Sequence, residues 1–303
     1  MLDVEIAKKN EITEAINFGA FYLASIEKDD KLYHYTSKVG LEGILKSQAL
    51  WATDYRYLND KKEFSLVRTL VPIVIGEFQL DESRSKFIEQ AILKEIDKMH
   101  DTSSKESNYY VTCFSLNTDS LLLWAEFADD GCSIGAHNRE FLNMDSEKVV
   151  SLPGKVVYKQ SEQLKIIRDC FEMVLDSKCS AQNFLTQIED IHDEMVSEYV
   201  QSVSALLYYY SMYMKEEIYC GEEEYRIVFR LKEDEYGIRY RDKDGYESKI
   251  PYISVPFSRP IQIDNIRVNP KIHDVDRIAE YQKILRENKS QAKILESQAD
   301  LRY

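Results

Sequence analysis

Apolar and polar residues alternate along this chain with two distinct periods. Ile6, Ile12, Ile16, Phe21 and Leu23 recur at near-helical spacing and predict an amphipathic helix over residues 1–28. The period then shortens, and residues 32–36 (LYHYT) predict a strand. Ser37 caps a predicted helix to about Ser47, with Val39, Leu41, Ile44 and Leu45 as its apolar positions. A strand follows at 50–53. Asn59 and Asp60 are placed to cap a helix from Lys61 towards Gly76, and a further helix is expected from about Ser83 to His100.

The second half repeats this alternation of types. Residues 109–115 (YYVTCFS) are β-branched and aromatic, as a buried strand requires. A short helix over 120–127 is expected next, then strands at 133–136 and 149–158 around the Asp129-Asp130-Gly131 turn. Residues 161–218 contain neither Gly nor Pro and predict an inserted helical pair packed on one flank. Strands are expected at 224–231 (EYRIVFRL), 250–255 and 261–268, a helix at 275–287, and an edge strand within 292–302. Strands gather at the two ends of this order, with helices between, so the expected class is α+β. The chain is expected to form one domain over 1–303, with an N-terminal helical segment (1–30) and the 161–218 insertion.

Composition narrows the chemistry. The chain has 303 residues and is 44% hydrophobic, enough for a sizeable core. No run approaches the ~20 apolar residues that span a bilayer, and the charged start MLDVEIAKKNEITEAI is not a signal peptide. Five scattered cysteines without Cys-x-x-Cys point to reduced thiols and a cytoplasmic setting. No His/Cys cluster has metal-ligand spacing, so no metal is expected. The net charge of −14 opposes loose binding to nucleic-acid backbone but leaves room for a local basic cleft. Gly-x-Gly-x-x-Gly, the P-loop and Gly-x-Ser-x-Gly are all missing from the sequence.

Four stretches carry candidate chemistry. His34 sits mid-strand, with Tyr33 and Tyr35 facing the other way. It serves either as a core histidine or as a site residue. In GEEEYRIVFR, Glu222 and Glu224 are expected to share one face of extended backbone, and Arg226 to continue it. Arg226 either neutralises Glu224 or holds a ligand phosphate. Tyr55, Arg56 and Tyr57 suit a pocket for a flat heterocycle and a phosphate, or an ordinary surface cluster. Ser115 ends a strand and is placed to line a cleft.

Taken in order, LYHYTSKVGLEGILKSQALWATDYRYLNDKKEF, VTCFS, SLLLWAEFADDGCSIGA and EEEYRIVFR resemble the bacterial family catalogued as domain of unknown function 2971, over roughly residues 32–303. A more distant similarity is to the ADP-ribosyltransferase superfamily. That resemblance implies a split antiparallel sheet that clamps NAD. It implies a first-strand His on a ribose hydroxyl, an aromatic on nicotinamide, and a late Glu that stabilises the ribosyl cation. On this chain the His matches His34. The aromatic matches Tyr55 or Tyr57 by order, and the Glu matches Glu224 or Glu222. Tyr35, Thr36, Arg56, Ser115 and Arg226 complete the expected NAD-contacting set. No tidy Tyr motif follows the second strand, a departure from the pattern.

The function this implies is transfer of ADP-ribose from NAD to RNA, DNA or protein, in the manner of a toxin or phage-defence effector, with an inhibitory partner protein and no membrane. NAD hydrolysis and a nucleotide-binding sensor without turnover are the alternatives. His34 and the 51–57 cluster are expected to form two walls of one cleft, closed by Glu222 and Glu224.

Overall fold

The strongest β signals in the sequence lie side by side. The computed structural model describes residues 6–8, 26–58, 63–101, 108–127, 131–144, 147–175, 179–188, 193–232, 237–242, 249–271 and 275–298. Its contacts divide the chain into two compact units. One comprises Met1–Tyr22, Arg56–Ser107 and Val157–Ile218; the other comprises Leu23–Tyr55, Asn108–Val156 and Tyr219–Tyr303.

The first unit is helical. Its described helices are Glu63–Glu77, Glu82–His100, Gln160–Met173, Ala181–Thr186 and Glu194–Ser211. Ile88, Ile92 and Ile96 line one face of the second at i,i+4 spacing and are buried. Glu194–Ser211 is buried almost all round from Ser202 onwards, and Tyr199 donates to the Phe171 carbonyl at 2.9 Å. Among its described residues the 161–218 block thus shows three helices, where the sequence suggested a pair. Two local caps account for the extra break: Ser180 accepts from the Asn183 amide and Asp193 from the Met195 amide. The N-terminal helix is corrected where it can be seen: Ile6 forms an isolated bridge to Leu175, and residues 26–30 are non-helical. The rest of that segment, and the Asn59-Asp60 cap, lie outside the described residues.

The second unit carries a ten-stranded, mainly antiparallel open sheet, which makes the chain α+β. The strands are β1 (Lys31–Thr36), β2 (Ala49–Asp54), β3 (Tyr109–Ser115), β4 (Cys132–His137), β5 (Val149–Lys155), β6 (Glu224–Leu231), β7 (Arg239–Arg241), β8 (Ile250–Pro256), β9 (Asn265–Val268) and β10 (Lys293–Leu295). β7 was not foreseen; three residues are too few to set up a period. The 261–268 strand contracts to β9.

The sheet forks at β3. One edge of β3 pairs with β6 from Tyr109↔Arg230 to Ser115↔Glu224. Its other edge is shared: β2 takes Tyr110 and Val111, and β1 takes only Ser115, opposite Tyr33. β1 then leaves along β4, while β2 leaves along β8. The helix Lys38–Ser47 joins β1 to β2, with Ser37 accepting from the Gly40 amide as its N-cap.

Cross-strand partners share a face, so the register sorts every side chain. Leu32, Leu50, Ala52, Phe114, Ile134, Tyr225, Ile227, Phe229, Ile253 and Ile266 make one apolar layer. The opposite face carries Tyr33, Tyr35, Trp51, Ser115, Glu224 and Arg226.

Candidate functional site

The residues around the fork are divided between the two faces of the sheet. In the register set by Tyr33↔Ser115, Cys113 would be the partner of Tyr35, but pairing ends first. His34 Nδ1 lies 2.9 Å from the Cys113 carbonyl instead. A carbonyl only accepts, so Nδ1 carries the proton and Nε2 is left as an acceptor. Among the described residues Nε2 has no hydrogen-bond partner. The ring packs 5.5 Å from Phe114. Burial holds the imidazole pKa below its ordinary value, with the Cys113 bond opposing in part. His34 is therefore neutral at neutral pH. On the other side of the opening, Thr112 Oγ1 donates to the Trp51 carbonyl at 3.0 Å. Side chains thus span the fork where backbone pairing stops.

The pKa direction gives a pH prediction. A lowered folded-state pKa means the unfolded chain takes up the His34 proton first. Stability from this residue is fully present above about pH 6.5 and is lost as pH falls below it. His34→Asn, which keeps a donor near Nδ1, is expected to flatten the fall in urea midpoint between neutral pH and the acid range. An unchanged pH profile in the variant would contradict this.

Thr36 shares the His34 face, and its hydroxyl lies where a Cβ on Gly40 would stand, 2.1 Å away. The backbone just beyond it is tightly approached: a Cβ on Gly131 would meet the Thr36 carbonyl oxygen at 1.9 Å. Tyr35 points the other way. Its hydroxyl donates to the Asn117 carbonyl and accepts from the Ser120 amide, both at 2.9 Å, and its ring meets Trp124 edge-on at 4.7 Å. Burial is the main reason its phenol is pushed up to about 12. Tyr35 thus clamps the loop that follows β3. Tyr35→Phe is expected to cost about 1–3 kcal/mol by leaving that loop's amide and carbonyl unpaired, measured by urea unfolding; a cost near zero would contradict the clamp.

Glu224 opens β6, and its two oxygens accept from Arg226 Nε at 2.9 Å and Nη2 at 2.8 Å. Both side chains are buried. The expected shared face of Glu222 and Glu224 is corrected. Glu222 ends the 3-10 turn Glu217–Glu222, and Glu223 has φ 45°, in the left-handed region. The backbone is not extended there, so the alternation rule does not connect the two carboxylates. Ser115 ties this turn down: its hydroxyl donates to the Glu222 carbonyl at 2.6 Å and accepts from the Asn117 amide at 2.9 Å.

The register separates what the sequence grouped. Tyr33, Ser115 and Glu224 form one cross-strand row, so Glu224 is two strands from β1, about 10 Å away. His34 faces the apolar layer and Glu224 the opposite face of the sheet. Tyr55 is buried just after β2. Arg56 and Tyr57 belong to the helical unit, where Arg56 Nη1 donates to the Asp101 carbonyl at 2.7 Å. Sequence reasoning missed Tyr252 and Arg241. Trp51 stacks on Tyr252 at 4.6 Å, through the β2–β8 register that no short-range pattern encodes.

Among the described residues no group of three His, Cys, Asp or Glu side chains is placed to hold a metal ion, and no helix is long and apolar enough to cross a membrane. Comparison with protein-family models, curated proteins and solved structures finds no match to this chain.

Proposed function

We propose that the fork between β1 and β2 is an NAD-binding cleft and that the chain transfers ADP-ribose from NAD to a macromolecule. The observation that carries this reading is the split of β3's edge, with the His34 acceptor nitrogen at the opening and Glu224 two strands away. An antiparallel sheet that splits in this manner is what the ADP-ribosyltransferase superfamily would require.

The chemistry follows from the residues. His34 Nε2 accepts from a ribose hydroxyl, and the fixed Nδ1 bond holds the ring in that tautomer. The nicotinamide–ribose C–N bond breaks, and its electron pair leaves with nicotinamide. The ribose carbon becomes oxocarbenium-like, as in glycoside cleavage. Glu224, paired with Arg226 on the opposite face of the sheet, reaches that carbon only where the ribose threads the fork, and there it stabilises the charge. The acceptor's nucleophile then bonds to the same carbon, and its proton passes to Glu222 or to water. NAD is a substrate here, and the carboxylates handle the charge. Tyr55 remains the nicotinamide platform candidate within the unit that carries His34 and Glu224.

A second reading, a nucleotide sensor without turnover, is favoured by one observation: Arg226 engages both Glu224 oxygens. Calorimetric titration with NAD tests what the two share. The wild type is expected to bind, and His34→Ala to weaken binding about tenfold, as expected for one lost hydrogen bond. No binding by the wild type would sink both.

A further inference from the structure

One corner of the sheet unit carries aromatic and cationic side chains that the proposed chemistry does not use. Thr53 pairs with Tyr252, and Tyr252 with Arg239, so Trp51, Thr53, Tyr252, Arg239 and Arg241 lie on one face. Arg241 Nη2 donates to Thr53 Oγ1 at 2.7 Å, and its guanidinium stands 5.7 Å from the centre of the Tyr252 ring. Tyr252 is buried beneath this layer, yet Trp51, stacked upon it, keeps 47% of its surface exposed. Trp51 thus presents a flat aromatic face to solvent, backed by Tyr252, on which a planar ring can stack. β7 is the terminal strand on this path of the sheet. Its two arginines stand two residues apart, about 7 Å along the strand.

We propose that this corner binds single-stranded nucleic acid, a base stacking on Trp51 and the flanking phosphates lying on Arg239 and Arg241. Aromatic faces beside a row of cations are how proteins hold single strands, since every base has a π-face and every linkage a charge. Arg suits the role because it stays charged and forks onto phosphate. Burial lowers the Arg241 pKa from its ordinary value, which means the guanidinium has already lost part of its hydration. Over residues 233–249 the sequence carries four cationic side chains and six carboxylates, so the phosphates are held by Arg239 and Arg241 themselves and not by a net positive segment. The whole chain is at −14, so a backbone phosphate is repelled by the general surface and held only where cations are gathered. The inference concerns binding and holds whether or not NAD is turned over at Glu224.

The test is fluorescence anisotropy with labelled oligouridine and oligothymidine of about 12 nucleotides at low salt, using the full chain. The wild type is expected to bind. Trp51→Ala should weaken binding roughly tenfold or more, and Trp51→Phe should restore most of it. Arg239→Gln with Arg241→Gln should lower affinity and reduce the log–log salt slope by about 1.4. Arg239 is exposed, so Arg239→Gln alone keeps the test readable if the double variant misfolds. Failure of the wild type to bind, or equal binding by Trp51→Ala, would overturn the proposal. So would equal affinity for a duplex. Adenosine monophosphate binding as tightly as the oligonucleotide, read from Trp51 fluorescence, would make the site one for free nucleotides and overturn the single-strand assignment.

Discussion

Glu224→Gln is expected to leave a folded protein whose ADP-ribose transfer falls about 100- to 1000-fold, the usual loss when a fixed charge aimed at a transition state is removed. NAD binding should change far less, because the carboxylate acts on charge that develops only as the C–N bond breaks. The same substitution has a stability cost. Arg226 is buried, and Glu224 supplies both partners of its Nε and Nη2. Removing the negative member of such a pair costs about 3 kcal/mol, softened by the Gln carbonyl. Replacing both members by apolar residues, Glu224→Leu with Arg226→Leu, should return much of the stability, since an apolar pair of similar volume often matches a buried ion pair. Activity should stay lost. If the double variant regains transfer, Glu224 is structural; if Glu224→Gln alone is fully active, the assignment fails.

Gly131→Ala is the largest expected stability effect outside that pair. The new Cβ would fall 1.9 Å from the Thr36 carbonyl and 2.7 Å from Ser37 Cα. Both obstacles are backbone, so no side chain can swing aside, and β1 must move relative to β4. A cost of about 3 kcal/mol is expected from such overpacking, and a fall in Tm on the order of 5–10 °C. Because Thr36 and Ser37 lead from His34 into the cap of the Lys38–Ser47 helix, NAD affinity should fall with it. Gly43→Ala is the matched control. That glycine lies in the same helix with nothing near its Cβ position, so alanine should stabilise by about 0.5–1 kcal/mol. Equal melting curves for the two variants would contradict the close approach at Gly131.

Much of the sheet is legible in the sequence because its strands are locally consistent. β3 is mostly β-branched and aromatic, and β6 has Tyr225, Ile227, Val228 and Phe229 at its centre, so both are legible as strands from composition. The Lys38–Ser47 helix announces itself through Ser37 and four apolar positions. What could not be read is register. Whether His34 and Glu224 share a face depends on how β1, β3 and β6 align, across chain separations that periodicity does not reach. The Trp51–Tyr252 stack is hidden for the same reason. The Glu-x-Glu motif misled differently: alternation holds only on extended backbone, and nothing in the letters flags a left-handed Glu223. The cap at Ser180 is a local signal that was available, and helical periodicity on either side of it masked the break.

The central claim is transfer from NAD at the fork. It is tested most directly by incubating the purified protein with adenine-labelled NAD and a cell extract containing RNA, DNA and protein, beside Glu224→Gln and Glu222→Gln. Label is expected on one class of macromolecule, abolished by Glu224→Gln. Free ADP-ribose without transfer would make the cleft a hydrolase, and neither transfer nor NAD loss would contradict the enzyme reading outright.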